Sequence, residues 1–193
     1  MTRTVALSKL VAVVTSLAVI TLAAAGYHLS EPEDFAVVRG ELGEPTAYAD
    51  GSVVVVDDVR VGTVLLSSID DPITTPGMFV VVRVSARASG REELTVNHLQ
   101  LLAQGATYLA AQDESLLPAP GFEESRDVQF EVDPGHLTDL TLEAWGTRGF
   151  VEAYAEHVRV PLGVTTDNVE TWHRAAQGRQ VDYVASSVVR GLG

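Results

Sequence analysis

The chain of 193 residues contains no cysteine, and lysine occurs once, at Lys9. Without thiols there is no disulfide to staple a small domain, no thiolate zinc site and no acylated lipoprotein signal, whose cleavage point must be a cysteine. Any fold must be held by an apolar core. Basic residues are scarce as well, 13 against 26 acidic ones, for a formal charge of −13 at pH 7. A surface of that sign repels phosphate backbones and anionic head groups, which argues against nucleic acid as a partner. Motifs of catalysis are missing too. There is no G-x-S-x-G elbow and no glycine-rich strand-to-helix turn, and the histidines His28, His98, His136, His157 and His173 lie far apart in the chain. A nucleophile, a phosphate cradle and a structural zinc site each need one of these patterns, so no catalytic, cofactor-binding or metal residue is assigned.

What is present begins with an apolar run from Leu10 to Gly26 (LVAVVTSLAVITLAAAG), preceded by Arg3 and Lys9 and followed by Glu31, Glu33 and Asp34. A charge-free stretch behind a basic leader meets the requirement of an export signal or signal anchor, because basic residues stay on the cytoplasmic side. Ala23-Ala24-Ala25 supplies the small side chains that signal peptidase needs, and cleavage after Ala25 gives a secreted product. Retained, residues 10–26 approach the roughly 17–25 residues that cross about 30 Å of hydrocarbon as a helix, giving a single-pass anchor in the cell membrane. Either way the remainder is expected outside the cytoplasm.

The expected organisation is a signal anchor or signal peptide over 1–26, an acidic linker over 27–50, one β-sandwich over 51–163, and a helix and tail over 164–193. Residues 27–50 are acidic, carry Pro32 and Pro45, and show no sustained period. From Ser52 the chain turns valine-rich, and the branched Cβ of valine suits a pleated strand better than a helix. Asp57-Asp58 interrupts the first run as a bulge or a turn between strands. Pro76-Gly77 reads as a turn. The alternation of Val82, Val84, Ala86 and Ala88 with Arg83, Ser85, Arg87 and Ser89 gives a strand with one dry face. A hairpin around Gly105 follows, then a loop over 113–125 and a strand that faces Val128, Phe130 and Val132 inward. A turn at Asp133-Pro134-Gly135, a strand ending at Trp145 and a last strand over 155–162 complete the pattern. Such short strands, with turn chemistry between them, predict an all-β, antiparallel sandwich. Thr166-Asp167 can cap a short helix ending at Gly178, and the remainder forms one more strand or a tail.

Three segments carry a resemblance: MFVVVRVSARA, HLQLLAQGATYLAA and LPAPGFEESRDVQFEVDPG. Their order over about residues 50–162 resembles a family of exported bacterial domains of unknown function, with an immunoglobulin-like, telokin-type sandwich usually found behind a membrane anchor or lipoprotein signal. The chain departs from that pattern at Ala88-Ser89-Gly90, where the family has an asparagine turn. The resemblance implies a fold and a location, and no catalytic residue.

The acidic doublets Asp57-Asp58, Asp70-Asp71, Glu92-Glu93, Asp113-Glu114 and Glu123-Glu124 read as solvated surface, with calcium ligation as the rival if loops bring them together. His98 and His157 are the two histidines able to meet across strands. Trp145 is expected in the core, and Trp172, on the C-terminal helix, either docks on the sandwich or contacts a partner. The expected function is a non-catalytic, membrane-tethered extracytoplasmic binding or assembly module. It contacts the membrane through residues 10–26 and takes an envelope or membrane protein as partner. The alternative is a secreted sandwich that binds a small ligand or calcium.

Overall fold

Valine and leucine at every second position give the strands one face to bury. The computed structural model describes residues 35–67, 71–89, 92–111, 115–148, 152–153, 156–184 and 186–192. The first half of the chain forms β1 (Ala36–Arg39), β2 (Thr46–Tyr48), β3 (Ser52–Ser67), β4 (Ile73–Arg87), β5 (His98–Ala103) and β6 (Ala106–Leu109). The second half forms β7 (Phe122–Val132), β8 (Thr141–Trp145), β9 (Thr147–Arg148), β10 (Glu152–Ala153), β11 (Glu156–Pro161), α1 (Val169–Ala176), β12 (Gln180–Tyr183) and β13 (Val188–Gly191). The apolar run over 10–26 lies outside the described residues, and among those described no helix is long and apolar enough to cross a membrane.

The protein is a mostly-β, two-sheet sandwich with one helix. One sheet has the order β1-β11-β8-β5-β6, and the other runs β12-β3-β4-β7-β13 with β2 also on β3. Between them lies the core. Met78, Val80, Val82 and Val84 of β4 and Val128, Phe130 and Val132 of β7 face Leu99 and Leu101 of β5, Leu142 and Ala144 of β8, and Val158 and Val160 of β11. The β5–β6 hairpin turns at Gln104 and Gly105, both with positive φ (45° and 81°), a pair that matches the twist of the flanking strands.

Several boundaries differ from the sequence expectation. Residues 36–39 and 46–48, expected in the linker, form β1 and β2: each is short, and β1 has no alternation of buried and exposed positions to betray it. Two pairs are parallel, β1 with β11 and β12 with β3. Both bring together segments far apart in the chain, so no hairpin forces antiparallel direction. Asp57-Asp58 marks a bulge inside one continuous β3, not a turn between strands. Pro76-Gly77 lies within β4 at a second irregularity, where the register passes from Gly62↔Phe79 to Val64↔Thr74. A bulge tolerates proline's missing N–H, and the Gly77 amide donates instead to Thr75 Oγ1 at 2.9 Å.

The helix begins later than Thr166-Asp167 suggests. Asn168 folds its side chain back on the preceding loop, accepting from the Thr165 amide and donating to the Gly163 carbonyl, both at 2.8 Å. Past α1, Gly178 takes φ +66°, the left-handed conformation that commonly follows a helix end. The tail then crosses the outer face of the six-stranded sheet. Arg179 accepts from the amides of Thr63 and Val64 through its carbonyl, and the Asp182 carbonyl accepts from Arg60 at 2.8 Å. The Val184 amide donates to Asp127, after which Val188 pairs with Ser125 on the far edge. Val181 and Tyr183 cover Phe79, Val81 and Leu65 in a second, smaller apolar cluster. Gly62 permits that approach: a Cβ there would collide with the Arg179 carbonyl and the Val181 side chain.

Candidate functional site

Strand alternation gives the five-stranded sheet an outer face as well as a core face. On β8, Leu142 and Ala144 point into the core, so Thr141, Glu143 and Trp145 point out. Register places His98 of β5 beside Trp145 and Gln100 beside Glu143. On the other side of β8, Arg159 of β11 lies beside Glu143. At the far edge Leu109 of β6 sits beside Gln100 and is 73% exposed.

The outermost row is a stack of rings. Phe35 lies on His157 with centroids 3.6 Å apart and planes 7° from parallel. His157 lies on Trp145 at 4.6 Å and 9°, and Trp145 on His98 at 4.8 Å and 13°. Four rings thus stand side by side across the sheet, ring faces turned to one another. Cross-strand aromatic neighbours at such spacings stabilise each other beyond the area they bury.

Below the rings lies a row built on Glu143, whose side chain is almost fully buried. It accepts from Arg159 Nε at 2.6 Å and from Gln100 Nε2 at 2.5 Å, and His157 Nδ1 stands 3.4 Å away. Burial works against the charged form of Glu143. The hydrogen bonds from Arg159 and Gln100, with the Arg159 charge, outweigh it and hold the carboxyl below the ordinary glutamate value. The arginine also reaches over Phe35, its guanidinium carbon 5.7 Å from the ring centroid. The carboxylate thereby holds Arg159 and Gln100 from the two flanking strands, and stands within reach of the His157 ring of the stack.

The expected residues fall as follows. His98 and His157 are on one face but do not meet, because Trp145 stands between their rings. Trp145 is half-buried on the outer face and not in the core, since Leu142 and Ala144 already take the inward positions. The T-L-E-A-W alternation carried that signal. Trp172 docks: with Val169 and buried Ala176 it packs against the core, and it lines an open cavity beside Val59 and Val61 of β3. Among the acidic doublets, Asp57 accepts from Ser85 and Asp58 pairs with Arg60. Glu123 pairs with Arg87, and Glu124 accepts from the Leu117 amide. Asp70-Asp71 and Asp113-Glu114 include residues outside those described. Among the described residues, no three His, Asp or Glu side chains come together as metal ligands.

No protein family and no curated protein matches this chain. Among solved structures, it is similar to an uncharacterized beta-sandwich protein from Clostridium difficile 630, at 11% identity over 68% of this chain and 98% of that one, with a TM-score of 0.40.

Proposed function

We propose that this protein is a non-catalytic binding or assembly module with an immunoglobulin-like sandwich, held outside the cytoplasm by the apolar run over residues 10–26 and acting through contacts with an envelope or membrane protein. The observation that carries the reading is the ring row on the outer face of the five-stranded sheet, with Trp145 flanked by His98 and exposed Leu109 nearby in register. Tryptophan and arginine held rigid at the centre of a patch are the side chains that dominate protein interfaces, because they bury much area at little entropic cost. The leader supports the location through its basic flank and charge-free length.

The test has two arms. Full-length chain expressed in a bacterial host is fractionated and its intact mass determined; a full-length product in the membrane fraction supports the tether, and a soluble product beginning at Gly26 removes it. Separately, Leu109→Glu is compared with the unaltered chain for co-purification from native membranes. Loss of a bound protein with unchanged thermal stability supports the contact face, and unchanged recovery argues against it.

A further inference from the structure

The six-stranded sheet ends in β13, and among the described residues no strand pairs with its outer side. On the inner side the Ala88 amide donates to the Phe122 carbonyl, so Phe122 turns its backbone to β4 while Glu123 and Ser125 turn theirs to β13. Arg190 and Val188 meet those two residues in register, and the Leu192 amide continues the pattern on the Gly121 carbonyl. Alternation then leaves Val189 and Gly191 with their N–H and C=O groups directed away from the sheet. Such a row is a template for another strand.

The side chains along this edge are apolar as well. All four residues of β13 are exposed, Val189 at 58%. Of the ten large apolar side chains exposed among the described residues, Leu117, Phe122, Val188, Val189 and Leu192 make up half, and they gather here. Phe122 is in register with Gly191, and the Leu117 amide donates to Glu124, the residue in register with Val189. Other margins differ: β1 shows Val37 and β6 shows Leu109, one each, and β12 buries Val181 and Tyr183.

Charge and register narrow the occupant. Residues 184–193 hold Arg190 and no acidic residue, in a chain with 26 of them. The carboxylates beneath, Glu123 and Glu124, are taken up by Arg87 and by the Leu117 amide. Two copies of a chain at −13 repel over most of their surfaces, and this edge is where they approach without carboxylate facing carboxylate. The strand is also its own complement. A two-fold axis at Val189 pairs the outward backbone groups of Val189 with those of the second copy and sets Val188 opposite Arg190, so no like charges face each other.

We propose that β13 is a self-association edge, on which a second copy of this chain pairs its own β13 antiparallel through Val189, joining two six-stranded sheets into one and covering the apolar side chains beside them. This contact goes beyond the ring-face reading and does not depend on it.

The lack of native cysteine makes the test direct. Val189→Cys introduces one thiol per chain, and a hydrogen-bonded antiparallel pair brings the two Cα atoms to about 5.5 Å, within the span of a disulfide. In the full chain purified in detergent, mild oxidation is expected to convert Val189→Cys to a covalent dimer and to leave Leu109→Cys, on the edge of the other sheet, monomeric. Light scattering on the unaltered chain should show a dimer dissociating at about 10–100 μM, as suits a strand edge smaller than a standard interface. Val189→Lys should raise that constant about tenfold or more by setting like charges opposite, with an unchanged melting temperature because the side chain is exposed. A monomer at about 1 mM, a dimer that Val189→Lys leaves intact, or equal crosslinking through Leu109→Cys overturns the proposal. A different protein crosslinked through Val189→Cys in place of a second copy overturns the choice of occupant. Trp145→Ala should leave the dimer unchanged, so failure of the ring-face contact and failure of this edge are told apart.

Discussion

Each sheet has an outer face, and each outer face buries a carboxylate paired with arginine, two arginines for Asp127 and one for Glu143, yet the two are finished differently. On the six-stranded sheet, Asp127 is 1% exposed and takes Arg60 at 2.7 Å and Arg83 at 2.9 Å. Its remaining demand is met by the chain itself, through the Val184 amide at 3.1 Å, as the tail crosses from one edge to the other. On the five-stranded sheet, Glu143 is 3% exposed and is satisfied by Arg159, Gln100 and His157, which all lie on neighbouring strands of the same sheet. A carboxylate capped by backbone closes its face, whereas one satisfied sideways leaves a face whose rings and arginine are held in place. The first device fastens the tail; the second builds a surface.

Removing the carboxylates separates the two. Asp127→Ala strands two arginines and a backbone amide, and should cost about 3 kcal/mol, the low end for a broken buried pair because Arg60 and Arg83 keep contact with water. Urea midpoints measure it, and hydrogen exchange should show residues 180–192 losing protection along with it. Glu143→Gln should cost less, about 2 kcal/mol, since Arg159 is part-exposed and the amide keeps one acceptor. Exchange in the tail should not change. If both variants loosen the tail equally, the distinction between the faces is wrong.

Gly62→Ala tests the crossing from the other side. The added methyl meets the Arg179 carbonyl and Val181, and overpacking against backbone should destabilise by about 1–3 kcal/mol. Acid titration treats the faces alike. Both carboxyls are held below their ordinary values, Asp127 against burial by Arg83, Arg60 and the Val184 amide, Glu143 against burial by Arg159 and Gln100. A depressed carboxyl stabilises the fold above its unfolded value and loses that contribution as pH falls through the folded value. Stability from these groups should therefore be level at neutral pH and decline below about pH 4, with a shallower decline in Asp127→Asn and in Glu143→Gln. A decline equally steep in both variants counts against the ion pairs as its cause. The smallest stability effect is expected at Leu109→Glu, within about 0.5 kcal/mol, because the side chain is on the surface.

The sandwich was legible because its central strands alternate: Val128, Phe130 and Val132 face inward as their spacing requires. Its margins were not. β1 and β13 expose most of their side chains and have no period to read, and their place is set by backbone pairing with partners more than 60 residues away. Pro76-Gly77 reads as a turn in the sequence, while the fold places it within β4 at an irregularity of its pairing with β3. The ring row was within reach of the sequence, since the alternation through Thr141–Trp145 already turns Trp145 outward. What no local pattern gave was the sheet order, and only the order sets Phe35, His157, Trp145 and His98 side by side.

Photo-crosslinking in intact cells bears most directly on the ring-bearing face as the contact surface. A benzophenone amino acid replaces Leu109 in one strain and Val188, on the edge of the other sheet, in a second. If the outer face of the five-stranded sheet is where a partner sits, position 109 yields one adduct with an envelope or membrane protein, and Trp145→Ala removes it. Adducts from position 188 with none from position 109 would contradict that assignment.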